Sequence, residues 1–135
     1  MVEELQEQED LTRDILSRLT DPREGVRENA AEALAIAAGD EDWRPDDLVL
    51  CDGVGTIIDL LSDGNTHVVR SALTVITALA SAGHEEDLLS HGAIDALEQA
   101  QRHGDRGVRE KAREALWALM PDVEERIAPE PIEED

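Results

Sequence analysis

The chain has 135 residues, of which 33 are acidic and 12 are Lys or Arg, so its formal net charge is −21. This length and a hydrophobic content of 41% predict a single domain with a modest core. No stretch approaches the ~20 apolar residues that a membrane-spanning helix needs, and no face is basic enough to bind DNA or RNA phosphates. We therefore expect neither a membrane nor a nucleic acid as partner.

The first part of the chain has the pattern of two packed helices. Residues 2–10 are rich in Glu and Gln and are expected to extend the first helix as a polar cap. Two apolar stripes follow at helical spacing and are predicted to pack on each other. They consist of Leu11, Ile15, Leu16 and Leu19, and of Val26, Ala30, Ala33, Leu34 and Ala37. Thr20, in the intervening turn, is expected to cap a helix, as are Ser62 and Asp63 further on.

A ten-residue segment of the second helix recurs along the chain. GVRENAAEAL at residues 25–34 returns as GVREKAREAL at residues 107–116, with eight of ten residues identical, and HVVRSALTVI at residues 67–76 is a weaker middle copy. The spacing predicts repeats at about residues 10–40, 43–82 and 84–120, each a helix, a polar turn and a second helix. Residues 121–135 are expected to form an acidic C-terminal cap or tail, with Pro121 ending the last helix.

The phrases LTDPREGVRENAAEALAIAAG and GAIDALEQAQRHGDRGVREKAREALWAL are similar to the armadillo and HEAT repeat families, including the HEAT-like repeats of phycobilin lyases. The resemblance implies an all-α fold, an α-α superhelix (solenoid) of about three repeats, forming one domain over residues 1–120. Residues 46–51 and 85–91 would serve as the extra first helix of an armadillo unit. Within each turn, Arg27 and Arg109 are expected to support the chain near Asp21 and Asp105.

The same resemblance implies where a protein partner would bind. In armadillo proteins the last helix of each unit lines a concave groove, where a tryptophan and an asparagine four residues later grip an extended peptide. The tryptophan position falls on Glu32, Thr74 and Glu114, and the asparagine position on Ile36, Ala78 and Ala118, so neither is matched. A folded domain or helix is then the expected partner. The candidate partner-binding residues are Glu28, Glu32, Arg70, Thr74, Glu114 and Trp117. Alternatively, Trp117 packs against Val123 or Ile127.

No residue pattern predicts catalysis, a metal site or a cofactor. Cys51 is alone and is interpreted as a buried small hydrophobe. His84 and His91 are seven residues apart, which is too far on one helix for a shared metal, and Gly53 and Gly55 are expected to open a helix. An enzyme like the bilin lyases would require a tetrapyrrole pocket. The sequence favours a non-catalytic scaffold or adaptor.

The charge pattern points to salt adaptation. Eleven arginines accompany a single lysine, Lys111, and the acidic excess resembles that of proteins from salt-accumulating microbes such as haloarchaea. Self-repulsion is tolerable there because the Debye length falls to ~3 Å at 1 M salt. We predict a cytoplasmic adaptor for signalling or motility that binds one protein partner as a monomer or homodimer. A homo-oligomer formed by stacking of the end repeats is the alternative.

Overall fold

The computed structural model describes residues 2–119, with side chains from Asp10 onwards, and the regular secondary structure of this part is entirely helical. The first repeat contains α1 (Val2–Leu19) and α2 (Glu24–Ala38). The second contains α3 (Pro45–Leu50), α4 (Val54–Asp59), a 3₁₀ turn (Leu60–Ser62) and α5 (Thr66–Ser81). The third contains α6 (Glu85–Ser90), α7 (Ala93–Ala100) and α8 (Arg106–Leu119). The predicted solenoid of about three repeats is confirmed.

Helix α5 lies at the centre of the core, between α2 and α8. Five of its side chains are completely buried, because both neighbouring repeats cover this helix: Val68, Val69, Leu73, Ile76 and Leu79. The short helices α3 and α6 coincide with the two segments expected as extra first helices. Stacking of three repeats therefore buries apolar faces that one helix pair would leave exposed.

The two stripes predicted for the first repeat are only partly buried. Leu19, Ala30 and Leu34 belong to the core, whereas the side chain of Leu11 is 63% exposed and Ala33 is also exposed. The prediction was wrong for these two residues, because they lie on the side of α1 and α2 where no described helix packs. The extension of α1 back to Val2 is confirmed.

The helix caps differ from the prediction. The Thr20 hydroxyl donates to the carbonyl of Ser17, at the end of α1, and the Ser62 side chain makes no hydrogen bond within the described chain. The caps are instead Asn65, whose side chain accepts from the backbone N–H groups of α5, and Asp105, which accepts from the Val108 N–H of α8. Asn and Asp at these positions satisfy amides that have no partner within the helix.

The start of α4 shows why glycine is required at residue 53. A Cβ atom on Gly53 would lie 2.8 Å from the Leu16 Cδ2 atom and 3.1 Å from the Leu48 carbonyl oxygen. The expectation that this segment opens a helix is confirmed, since α4 begins at Val54. The neighbouring Cys51 is partly rather than fully buried. The expected role of Pro121 and of the acidic segment 121–135 falls outside the described residues.

Candidate protein-binding face

Helices α2, α5 and α8 lie side by side and present equivalent positions to solvent. We call this surface the three-helix face and define it by the six predicted residues: Glu28 and Glu32 of α2, Arg70 and Thr74 of α5, and Glu114 and Trp117 of α8. Glu32, Glu114 and Trp117 are exposed, and the Trp117 side chain is 41% exposed. The other three residues are partly buried. Packing of Trp117 against Val123 or Ile127 involves residues outside the described part.

Glu28 belongs to the contact between the first two repeats. The Asn65 side-chain amide donates to Glu28 Oε1 at 2.9 Å and to Glu24 Oε2 at 2.7 Å. Because Asn65 Oδ1 also accepts from the His67 and Val68 N–H groups, one side chain both caps α5 and joins α5 to α2. Glu28 therefore positions the face while keeping part of its carboxylate accessible.

Arg70 joins the second and third repeats, as Glu28 joins the first two. Its Nη2 lies 2.9 Å from both carboxylate oxygens of Asp105, and its Nε lies 3.1 Å from Oδ2. Thr74 Oγ1 donates to the Arg70 carbonyl and accepts from Lys111 Nζ at 3.3 Å. Three of the six predicted residues thus hold neighbouring helices together, and the remaining three make no polar side-chain contact with other described residues.

A second pair strengthens the first contact. Arg27 Nε donates to Asp63 Oδ2 at 2.7 Å across the repeats, while its Nη1 donates to the Asp21 and Pro22 carbonyls of its own turn. Arg109 similarly donates to the His103 and Gly104 carbonyls. The predicted support of the turns by Arg27 and Arg109 is confirmed.

The ion pairs shift the titration of the turn carboxylates. Burial acts to raise the pKa of Asp63, but hydrogen bonds from Arg27 and from the Asn65 backbone N–H outweigh it and lower that pKa. The Arg70 side chain and then the Val108 N–H lower the pKa of Asp105. Hydrogen bonds from the side chain and backbone of Arg23 lower the pKa of the partly buried Asp21 to about 2. These carboxylates remain charged at neutral pH, as the contacts between repeats require.

Sequence reasoning missed the roles of Asn65, Asp63 and Asp105 in joining repeats. The available signal was their recurrence: each lies in the polar turn before a second helix, 35 to 37 residues after the position that it contacts. Each spacing is five or six residues shorter than the distance between the corresponding copies of the repeated segment. A search for complementary polar residues at this spacing in successive repeats would have identified them.

The described residues contain no cluster of His, Cys, Asp and Glu able to hold a metal ion. His84 Nε2 lies 2.8 Å from Asp46 Oδ1, and its Nδ1 lies 3.4 Å from Asp87 Oδ2, so this histidine joins α6 to α3. Along the described chain there is also no helix long and apolar enough to cross a membrane.

Comparisons with known proteins agree with this architecture. A computationally designed armadillo repeat protein for modular peptide recognition is 30% identical, with a TM-score of 0.72, and the match covers 79% of this chain and 46% of the designed one. A designed armadillo repeat protein in complex with the peptide (KR)4 is 28% identical, with a TM-score of 0.71 and coverage of 80% and 46%. An engineered protein with 22% identity, a TM-score of 0.75 and coverage of 82% and 46% shares the fold.

The chain thus spans about half the length of these designed solenoids. No curated protein matches it in sequence. The family model for HEAT repeats matches residues 12–117, which include all three copies of the repeated segment. The chain belongs to the HEAT repeat family.

Proposed function

We propose that the chain is a non-catalytic scaffold that holds a protein partner on the three-helix face. The observation that carries the proposal is the side-by-side placement of α2, α5 and α8, fixed by Asn65 between the first two helices and by Arg70 between the last two. Rigid spacing of exposed groups reduces the ordering cost of binding. A family of repeat scaffolds supplies the fold for such a role.

The chemistry of the face favours a partner with basic side chains and one apolar contact. Glu28, Glu32, Glu110 and Glu114 place four carboxylates on the outward sides of α2 and α8, of which Glu28 already accepts from Asn65 and Glu110 from Arg106. Of the nearby cations, Arg70 is paired with Asp105, and Lys111 donates a hydrogen bond to the neutral hydroxyl of Thr74. Trp117 adds an exposed aromatic ring, the side-chain type that most often anchors interfaces. The complex of a designed neighbour with (KR)4 gives a suitable probe.

A binding assay with a fluorescent (KR)4 peptide tests this proposal at about 0.15 M and about 1 M KCl. The double variant Glu32→Lys, Glu114→Lys is compared with the control Glu86→Lys, Glu98→Lys, which makes the same charge change at exposed sites on α6 and α7. We expect at least a tenfold loss of affinity in the first variant and little change in the control.

Equal losses in the two double variants would show attraction by net charge alone and would contradict a defined face. Trp117→Ala, tested against the same peptide extended by a leucine, should remove the affinity that the leucine adds. If Trp117→Ala changes neither peptide's affinity, the aromatic anchor is refuted.

We further propose that the net charge of −21 is an adaptation to a salt-rich cytoplasm, in which this scaffold serves signalling or motility. The single lysine and eleven arginines support this setting. Urea unfolding at KCl concentrations from about 0.1 to about 3 M should show stability rising with salt, as repulsion is screened. A midpoint independent of salt would contradict the adaptation.

A further inference from the structure

The outer side of the first repeat presents apolar side chains to solvent. We call it the first-repeat edge and define it by Leu11 and Ile15 of α1 with Val26 and Ala33 of α2. Ile15, Val26 and Ala33 line a shallow groove between the two helices. Leu11 is 63% exposed, and Ile36, one turn beyond Ala33, is 69% exposed. These are two of the most exposed large hydrophobic residues in the described chain.

The later repeats show what normally covers this edge. The residues equivalent to Val26 are Val68 and Val108, and both are completely buried against the preceding repeat. The equivalents of Ala33 are Val75 and Ala115, which are 1% and 0% exposed. The first repeat therefore has the apolar side chains of a surface that is buried between repeats elsewhere in the solenoid. The edge of another HEAT repeat is the surface that would pack against them.

The opposite edge of the solenoid has a different character. Ala31 and Leu73, which face the next repeat, are 2% and 0% exposed. The equivalent residue of α8 is Arg113, which is exposed, and nearby Arg106 pairs with Glu110 at 2.9 Å. A guanidinium at this position is poorly suited to cover apolar side chains. Head-to-tail stacking of copies is thus disfavoured, and the complementary surface available on a second copy is the same edge.

We propose that two copies of this chain associate through their first-repeat edges about a two-fold axis. Asp14 and Arg18 flank Ile15 on α1 and pair with each other at 3.1 Å. Antiparallel packing of the two α1 helices would place Asp14 of each copy beside Arg18 of the other, so the charges are self-complementary. This inference is independent of the proposed partner on the three-helix face.

The size of the edge suits a reversible dimer. Two helices of about 22 Å length lying about 10 Å apart present roughly 450 Å² per copy. The total of roughly 900 Å² lies below the range of about 1,200–2,000 Å² for stable interfaces and within the range of weak, transient ones. Repulsion between copies of charge −21 opposes association, so added KCl should favour the dimer.

Sedimentation equilibrium over a range of protein and KCl concentrations tests the proposal. The expected result is a mass rising from 14.8 kDa towards twice that value and no further. Monomers throughout would overturn the proposal. Masses that keep growing beyond the dimer would also overturn it, because they indicate head-to-tail assembly.

Variants identify the edge. Ala33→Arg should weaken dimerisation at least tenfold, whereas Ala82→Arg, the same change at an exposed site after α5, should leave it unchanged. Leu11→Glu is the second edge variant, and circular dichroism shows that each variant is folded. If both edge variants dimerise normally, or if Arg113→Ala alters the dimer, the edge assignment is refuted.

Discussion

Asn65 gives the most informative test of how the repeats are joined, because its two functions can be separated by substitution. Its Oδ1 accepts from two N–H groups of α5, and its amide donates to Glu24 and Glu28. Loss of the cap costs about 1 kcal/mol. Loss of the two donated hydrogen bonds costs about another 1 kcal/mol, since the carboxylates are charged but partly hydrated. Asn65→Ala should therefore destabilise the fold by about 2 kcal/mol, or lower the Tm by about 8 °C.

Two further substitutions separate the functions. Asn65→Ser keeps a capping oxygen but loses the donors, so we expect about half of the alanine effect. Asn65→Asp also keeps the cap, yet it turns a carboxylate towards Glu24 and Glu28 and should cost at least as much as alanine at pH 7. Urea unfolding followed by circular dichroism at 222 nm measures all three. If Asn65→Asp is as stable as the wild type at pH 7, the inter-repeat role of Asn65 is refuted.

Replacing Arg70 and Asp105 by the residue types of the first junction tests the second contact. Arg70→Glu alone should lower the urea midpoint of unfolding, and adding Asp105→Asn should recover most of that loss. If the pair contributes nothing to stability, the second substitution will not raise the midpoint. The lowered pKa of Asp63 means that its stabilising contribution is present above about pH 4, the usual carboxyl value, and is lost as pH falls through the lower folded-state value. The stability gap between wild type and Asp63→Asn should therefore narrow from pH 5 to pH 2, and a constant gap in urea unfolding would contradict this. Gly53→Ala should destabilise by about 1–3 kcal/mol, because the added Cβ meets Leu16 and a carbonyl. Gly25→Ala, with open space around it, should stabilise α2 by about 0.5–1 kcal/mol, so the reverse order of the two midpoints would refute the packing argument.

Sequence periodicity predicted the helices and the solenoid because the repeated apolar positions report directly which side of each helix is buried. Val68 and Val108, for example, are both fully buried, as their alignment requires. Periodicity failed at Leu11 and Ala33, because burial there depends on a neighbouring repeat rather than on the helix itself. The expected face stays a prediction as a binding site, and the contacts within it are only partly visible in the sequence. Exposure of Trp117 followed from its position, whereas the pairing of Arg70 with Asp105 depends on how neighbouring helices are offset, which a one-dimensional pattern does not contain.

The two junctions use different chemistry at equivalent positions, and this gives the repeats a fixed order. At the first junction a carboxylate, Glu28, meets the amide of Asn65, whereas at the second a guanidinium, Arg70, meets the carboxylate of Asp105. If the middle repeat were duplicated in tandem, Arg70 of one copy would meet the neutral amide of Asn65 in the next copy instead of the carboxylate of Asp105. Lengthening this solenoid by duplication therefore requires a compensating substitution at the new junction. The polar contacts therefore determine which repeats can be neighbours. The apolar core is nearly the same in every repeat and does not distinguish one neighbour from another.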